Sequence, residues 1–478
     1  MKVLLLKNRT AVSISILVLS FALLIPQYLW LPALSILMFL ALRIFNKNIF
    51  IFLIIVSLLT LTSTLSVSIR TAIQVVSIFT LFYFFLRYYG LDFPNYPKIP
   101  RELIILLFFI FISMIISTIF SDYVLLGIQQ IIRLAVFLAI IYFIFSLTQD
   151  NSDVKFLLFA LIAVGLIYSI IIFLELAKNN FNFIEMNLSQ LEKMSNKYIN
   201  MNSFGAFFII IISMVFSFFL GRKEKLIKWS LSFFLCILFA GLFITNSRAA
   251  ILAIFLSSIF VLYCLNKKLL KRILLLTLLI LPILFIQSIS NFIDVYFRLE
   301  RLSTGRDVIF DVIYNVIMNN PILGVGPAAT KYALYPNLDF MLGSPAEKFL
   351  AFHYDEIAFG HAHNFYLFFW SDLGVLGLFT SILLPIVFFK MCYKAIKKTK
   401  NINLDFYLLS IGITAAGLGL FIRGFFEWGN LISYGTIGID LPFWILLVIL
   451  SYINLNKINY LDKIFLSNMK IKISKSTV

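Results

Sequence analysis

"MNSFGAFFIIIISMVFSFFLGRKEKLIK", residues 201–228, carries twenty residues without a charge and then four cations within eight positions. A helix of about twenty apolar residues crosses the roughly 30 Å hydrocarbon layer of a bilayer, whose interior tolerates only segments that satisfy their own backbone. The basic cluster that follows marks the cytoplasmic end of such a span. Runs of this kind recur from Ala11 to Ile453, and no stretch alternates polar and apolar residues as a membrane β-barrel would. The chain therefore reads as an all-α polytopic membrane protein. The rest of the composition agrees: mean hydropathy is +1.01, 54 of 478 residues are Phe, and only 13% are charged.

Spans are expected at 11–26, 30–44, 49–67, 70–86, 103–120, 128–147, 156–177, 201–220, 227–245, 249–265, 273–290, 365–389, 405–422 and 432–453, about 12–14 helices in all. The boundary at 30 and the pair between 245 and 249 also fit re-entrant turns. The first run lacks an A-x-A cleavage pattern near Pro26 and reads as a retained span. Lys and Arg concentrate in alternate connections, including "GRKEKLIK", "NKKLLKR" and "KAIKKTK", which places both termini in the cytoplasm. That asymmetry accounts for the net charge of +17 without nucleic acid. Cys236, Cys264 and Cys392 show neither pairing nor metal-ligand spacing. Four regions follow: 1–240, a multi-helix membrane part; 241–390, a core that includes the long loop 291–364; 391–456, the last spans; and 457–478, a basic cytoplasmic tail.

The long loops, 178–200 and 291–364, emerge on the non-cytoplasmic side. ATP and nucleotide sugars are absent there, so a synthetic reaction needs a substrate that carries its own activation, such as a lipid-linked diphosphate. All three histidines, His353, His361 and His363, fall in the second loop within eleven residues. With Asp355 and Glu356 they offer metal ligands, but no H-E-x-x-H or D-x-D spacing occurs. A loop-bonded structural histidine and a general base working near neutral pH are the other readings, and the base is the one a transfer to a hydroxyl requires. In the same loop, "GRDVIFDVIYNVIMNNPILGVGP" predicts a helix capped by Ser303 or Thr304, apolar at Val308, Ile309, Val312, Ile313, Val316 and Ile317, and stopped at Asn320-Pro321. Arg306 in its first turn suits a nearby anion, or else a solvated pair with Asp307 or Asp311. "TNSRAA" places Arg248 at another helix start, capped by Asn246 or Ser247, where it serves either a diphosphate or lipid headgroups. Arg133 sits inside a span, an expensive and by default functional position. Arg423 and Glu427, four apart at a further helix end, suit a pair with each other.

"HNFYLFFWSDLGVLG" fits H-N-x9-G-x-x-G through His363, Asn364, Gly374 and Gly377. With the S-R element and the N-P-x-x-G-x-G segment that precede it, in that order along residues 240–380, it resembles the superfamily of O-antigen ligases and O-antigen polymerases, which also includes bacterial protein O-oligosaccharyltransferases. The resemblance implies a bacterial inner-membrane glycosyltransferase acting at the periplasmic face, without cofactor or metal. Its donor would be an undecaprenyl-diphosphate-linked glycan, and its acceptor a lipid A core or another lipid-linked glycan. It implies His363 as the base, His361 as its neighbour, and Arg248 and Arg306, with Arg133 as a further candidate, as diphosphate ligands. Asn364, Gly374 and Gly377 would be a helix-packing motif, the glycines on one face of a continuous span. The acceptor separates a ligase, a polymerase and a protein transferase. A flippase or other transporter is the competing class, disfavoured because polar residues crowd the non-cytoplasmic end rather than mid-membrane.

Overall fold

The computed structural model describes residues 47–64, 67–90, 96–181, 201–280, 306–334 and 362–456. The charge-free run 201–220 forms a helix, Met201–Gly221, and ends where Arg222 pairs with Asp405. In chain order the helices are α1 Lys47–Thr64, α2 Val67–Tyr89, α3 Arg101–Ile119, α4 Val124–Leu147, α5 Asn151–Lys178, α6 Met201–Gly221, α7 Lys225–Ile244, α8 Arg248–Leu265, α9 Lys267–Ile280, α10 Arg306–Asn319, the single turn α11 Thr330–Ala333, α12 Phe365–Thr399, α13 Leu404–Arg423 and α14 Ile437–Leu455. Among the described residues nine of these are long and apolar enough to cross a membrane. The expected spans 11–26 and 30–44, the caps Ser303 and Thr304, and the tail 457–478 lie outside the described residues.

Apolar residues occupy both the core and the rim, as a lipid-solvated bundle allows. Phe108, Leu125, Trp229 and Phe233 face outward, while α13 and α14 are almost wholly enclosed. Without a hydrophobic drive between helices in lipid, close approach depends on small residues and on hydroxyls that bond across the gap. In α13 a Cβ on Gly412 would lie 2.8 Å from Met214 Cα of α6. Ser217 Oγ of α6 donates to Leu408 O at 2.7 Å, and Ser257 Oγ of α8 to Ala415 O at 2.8 Å.

At one end, charges staple the helices. Lys47 Nζ meets Asp153 at 3.0 Å and donates to Leu147 O, and Glu102 receives Lys394 and, at 3.7 Å, Lys390. The opposite end gathers the start of α12, the chain after α10 and the connection 424–436.

One expected helix end changes, and the pair of spans meeting between 245 and 249 is found as two helices. The last span begins at Ile437 rather than 432, because Asp440 takes the Ser433 amide and hydroxyl, and Asn430, Tyr434 and Gly435 adopt positive φ. The segment between 245 and 249 is a tight turn between two separate helices, with Asn246 at φ 49°.

Candidate functional site

His363 stands at φ 44° just ahead of α12, and Asn364 caps that helix by accepting from the Tyr366 and Leu367 amides at 2.9 and 3.0 Å. The connection 424–436 grips the same three residues. Phe365 N donates to Gly424 O at 2.7 Å, Asn364 Nδ2 to Phe425 O at 3.1 Å, and His363 Nδ1 lies 3.5 Å from Glu427 Oε2. That last separation is ion-pair range; the Nδ1 atom itself is buried and makes no formed hydrogen bond. The imidazole is 37% exposed and the Glu427 side chain 8%, so the ring opens to the surroundings with an enclosed carboxylate behind it.

The connection is itself fixed at several points. Arg133 Nε and Nη2 donate to the Tyr434 and Ser433 carbonyls at 2.8 and 3.0 Å, Arg423 Nη1 reaches Asn430 Oδ1 at 3.0 Å, and Trp444 Nε1 reaches Leu431 O at 2.9 Å. Arg133 thus meets backbone oxygens of the loop that holds Glu427.

Arg248 is the first residue of α8. Ser247 occupies the cap position, as expected, but its side chain makes no capping bond; its buried Oγ stands beside the Gly205 backbone instead. The level of Arg248 follows from helix register. Val261 clusters with Ile411 and Ala415, Ser257 bonds to Ala415 O, and a Cβ on Gly419 would lie 3.2 Å from Ala253 O. One further turn along this antiparallel pair brings Arg248 level with Arg423 and Gly424, the residue whose carbonyl holds Phe365. The α8 start and the His363 turn therefore flank the same end of α13.

Arg306 opens α10, whose apolar stripe Ile309, Val312, Ile313, Val316 and Ile317 is buried against the bundle. The helix stops at Asn319, before Pro321. The chain then lays its backbone on α12: Val325 N donates to Ser371 O at 3.0 Å, Gly326 N to Asp372 O at 2.9 Å, and Val375 N to Ile322 O at 3.2 Å. Here the expected continuous helix face is corrected. Gly374 has φ 66° and ψ −156° and breaks α12, because the Ile322 carbonyl takes the place of a helical partner. A Cβ on Gly374 would overlap that carbonyl, and one on Gly377 would overlap Phe369 O across the break. His353, Asp355, Glu356 and His361 lie outside the described residues, within which no group of three metal-ligating side chains occurs.

Residues 231–382 match the family model described as O-antigen ligase. The match supports a likeness of that segment to the O-antigen ligase and polymerase superfamily. No curated protein matches the chain. The O-antigen ligase segment contains Arg248, Arg306, His363, Asn364, Gly374 and Gly377, whereas Arg133 and the whole connection 424–436 fall outside it. Glu427 was visible in the sequence only as a neighbour of Arg423, since nothing in its spacing links it to a histidine 64 positions earlier.

Proposed function

We propose that the protein transfers a polyprenyl-diphosphate-linked glycan to an acceptor hydroxyl at the non-cytoplasmic face of a bacterial inner membrane, in the manner of an O-antigen ligase. The observation that carries this reading is the half-exposed imidazole of His363, backed by an enclosed carboxylate and set across the end of α13 from the start of α8. The imidazole accepts the acceptor's proton as its oxygen attacks the anomeric carbon; the Glu427 carboxylate favours the imidazolium that forms. The bond to the diphosphate breaks, and the electron pair leaves with it. The guanidinium groups of Arg248 and Arg306, each on the first residue of its helix, stabilise that growing charge.

The size of α10 supports the part given to Arg306. Fourteen residues extend about 20 Å, against about 16 Å from Gly374 back to His363 along α12. An α10 laid along the first half of α12 carries Arg306 to the level of His363. Arg133 serves the site by holding the Glu427 connection.

The test is transfer by purified protein in lipid with a lipid-linked repeat unit. His363→Ala is expected to abolish product while the folded bundle persists, and full activity in that variant overturns the reading. With the repeat unit alone, no reaction until a core acceptor is added marks a ligase; a lengthening ladder marks a polymerase.

A further inference from the structure

Asp372 lies nine positions after His363, and its carboxylate is wholly buried. Among the described residues no Lys or Arg pairs with it. A carboxylate enclosed without a cation persists only where donors saturate it. Its Oδ2 accepts from Ala328 N and Tyr434 Oη, each at 2.8 Å, and its Oδ1 from Thr330 N at 3.1 Å and from Thr330 Oγ1. Burial, then the adjacent carboxylate, push the Tyr434 phenol well above its ordinary range, so it stays a donor.

The donors come from two stretches far apart in the chain. Ala328 and Thr330 follow the turn that ends α10; Tyr434 belongs to the connection that carries Glu427. The Asp372 main-chain oxygen also accepts from Gly326 N and, at 2.7 Å, from Ser117 Oγ of α3. One residue of α12 therefore ties the Arg306 element and the Glu427 element to the helix that begins beside His363.

We infer that Asp372 is a positioning residue whose carboxylate fixes the chain after α10 and the connection 424–436 in register on α12, so that the start of α10 and Glu427 are preset relative to His363. The inference rests on the glycan-transfer reading above. An apolar residue of the same size would fill the space but leave the Ala328 and Thr330 amides and the Tyr434 hydroxyl without acceptors. Asparagine turns one acceptor into a donor facing these donors, which releases at least one of the two stretches.

A double-mutant cycle on glycan transfer tests it. Asp372→Asn is expected to lower kcat about 10- to 100-fold, with the acceptor KM unchanged. Because part of the Asp372 effect passes through Arg306, Asp372→Asn combined with Arg306→Lys should lose clearly less than the product of the two single losses. Asp153→Asn, a buried carboxylate at the opposite end, should multiply with Arg306→Lys. Where Asp372→Asn does not fold, Thr330→Val removes one donor hydroxyl and enters the same cycle. Effects that multiply in the Asp372 or Thr330 cycle, or a full rate in the folded Asp372→Asn protein, overturn the inference while leaving the transfer reading intact. Full transfer by His363→Ala and by Arg306→Lys would instead overturn the reading beneath it.

Discussion

Replacing Gly374 with alanine perturbs one atom at the point where three backbone segments meet. The φ of 66° with ψ of −156° is a region that L side chains rarely adopt, and holding one there costs about 1–3 kcal/mol. The added Cβ would also stand 2.7 Å from Leu323 N and overlap the Ile322 carbonyl, and neither atom can rotate aside. Relief requires the turn 322–326 to lift off α12, which breaks the bonds Val375 N–Ile322 O, Gly326 N–Asp372 O and Val325 N–Ser371 O. At roughly 0.5–1.5 kcal/mol each, the expected loss is about 3–7 kcal/mol in total. Gly90→Ala supplies the control. Its φ is 62° and no atom lies within 4 Å of the new methyl, so only the backbone cost of about 1–2 kcal/mol applies. Unfolding midpoints of the two variants in one detergent, followed by intrinsic fluorescence, measure the difference. A Gly374→Ala protein no less stable than Gly90→Ala would refute the docked turn.

Three further outcomes follow from the same geometry. Glu427→Gln keeps the shape of the connection but removes the charge beside His363 Nδ1, so kcat for transfer should fall by on the order of 10²-fold while substrate KM values change little; steady-state kinetics check it. Lys47→Met leaves Asp153 charged and enclosed, and a loss of about 3–5 kcal/mol is expected in the same unfolding assay. Tyr434→Phe withdraws a single donor from Asp372 and should slow transfer in the same sense as Asp372→Asn, by less, with equal expression and monodispersity.

The membrane helices were legible because a run such as 201–220 has one stable form in lipid, and the end of α10 was legible because Pro321 cannot continue a helix. The break at Gly374 was not. "WSDLGVLG" has the apolar character of an uninterrupted span, and the interruption comes from carbonyl and amide groups of residues 322–326, some fifty positions away in the chain. The start of the last helix was missed for a like reason: Ile432 to Thr436 reads as apolar chain, but Asp440 and Arg133 draw its backbone into a turn. At the site, the motif order pointed to His363, Arg248 and Arg306. The carboxylate behind the imidazole and the four donors around Asp372 arise from pairings between distant residues, which periodicity does not encode.

The seam between α8 and α13, built from Ala253, Ser257, Ala415 and Gly419, has a consequence for access. Backbones that meet through such short groups have no long side chains to re-seat, so they cannot slide past one another without losing contact altogether. Under the proposed function, a lipid-linked donor arriving at the imidazole would find one fixed doorpost.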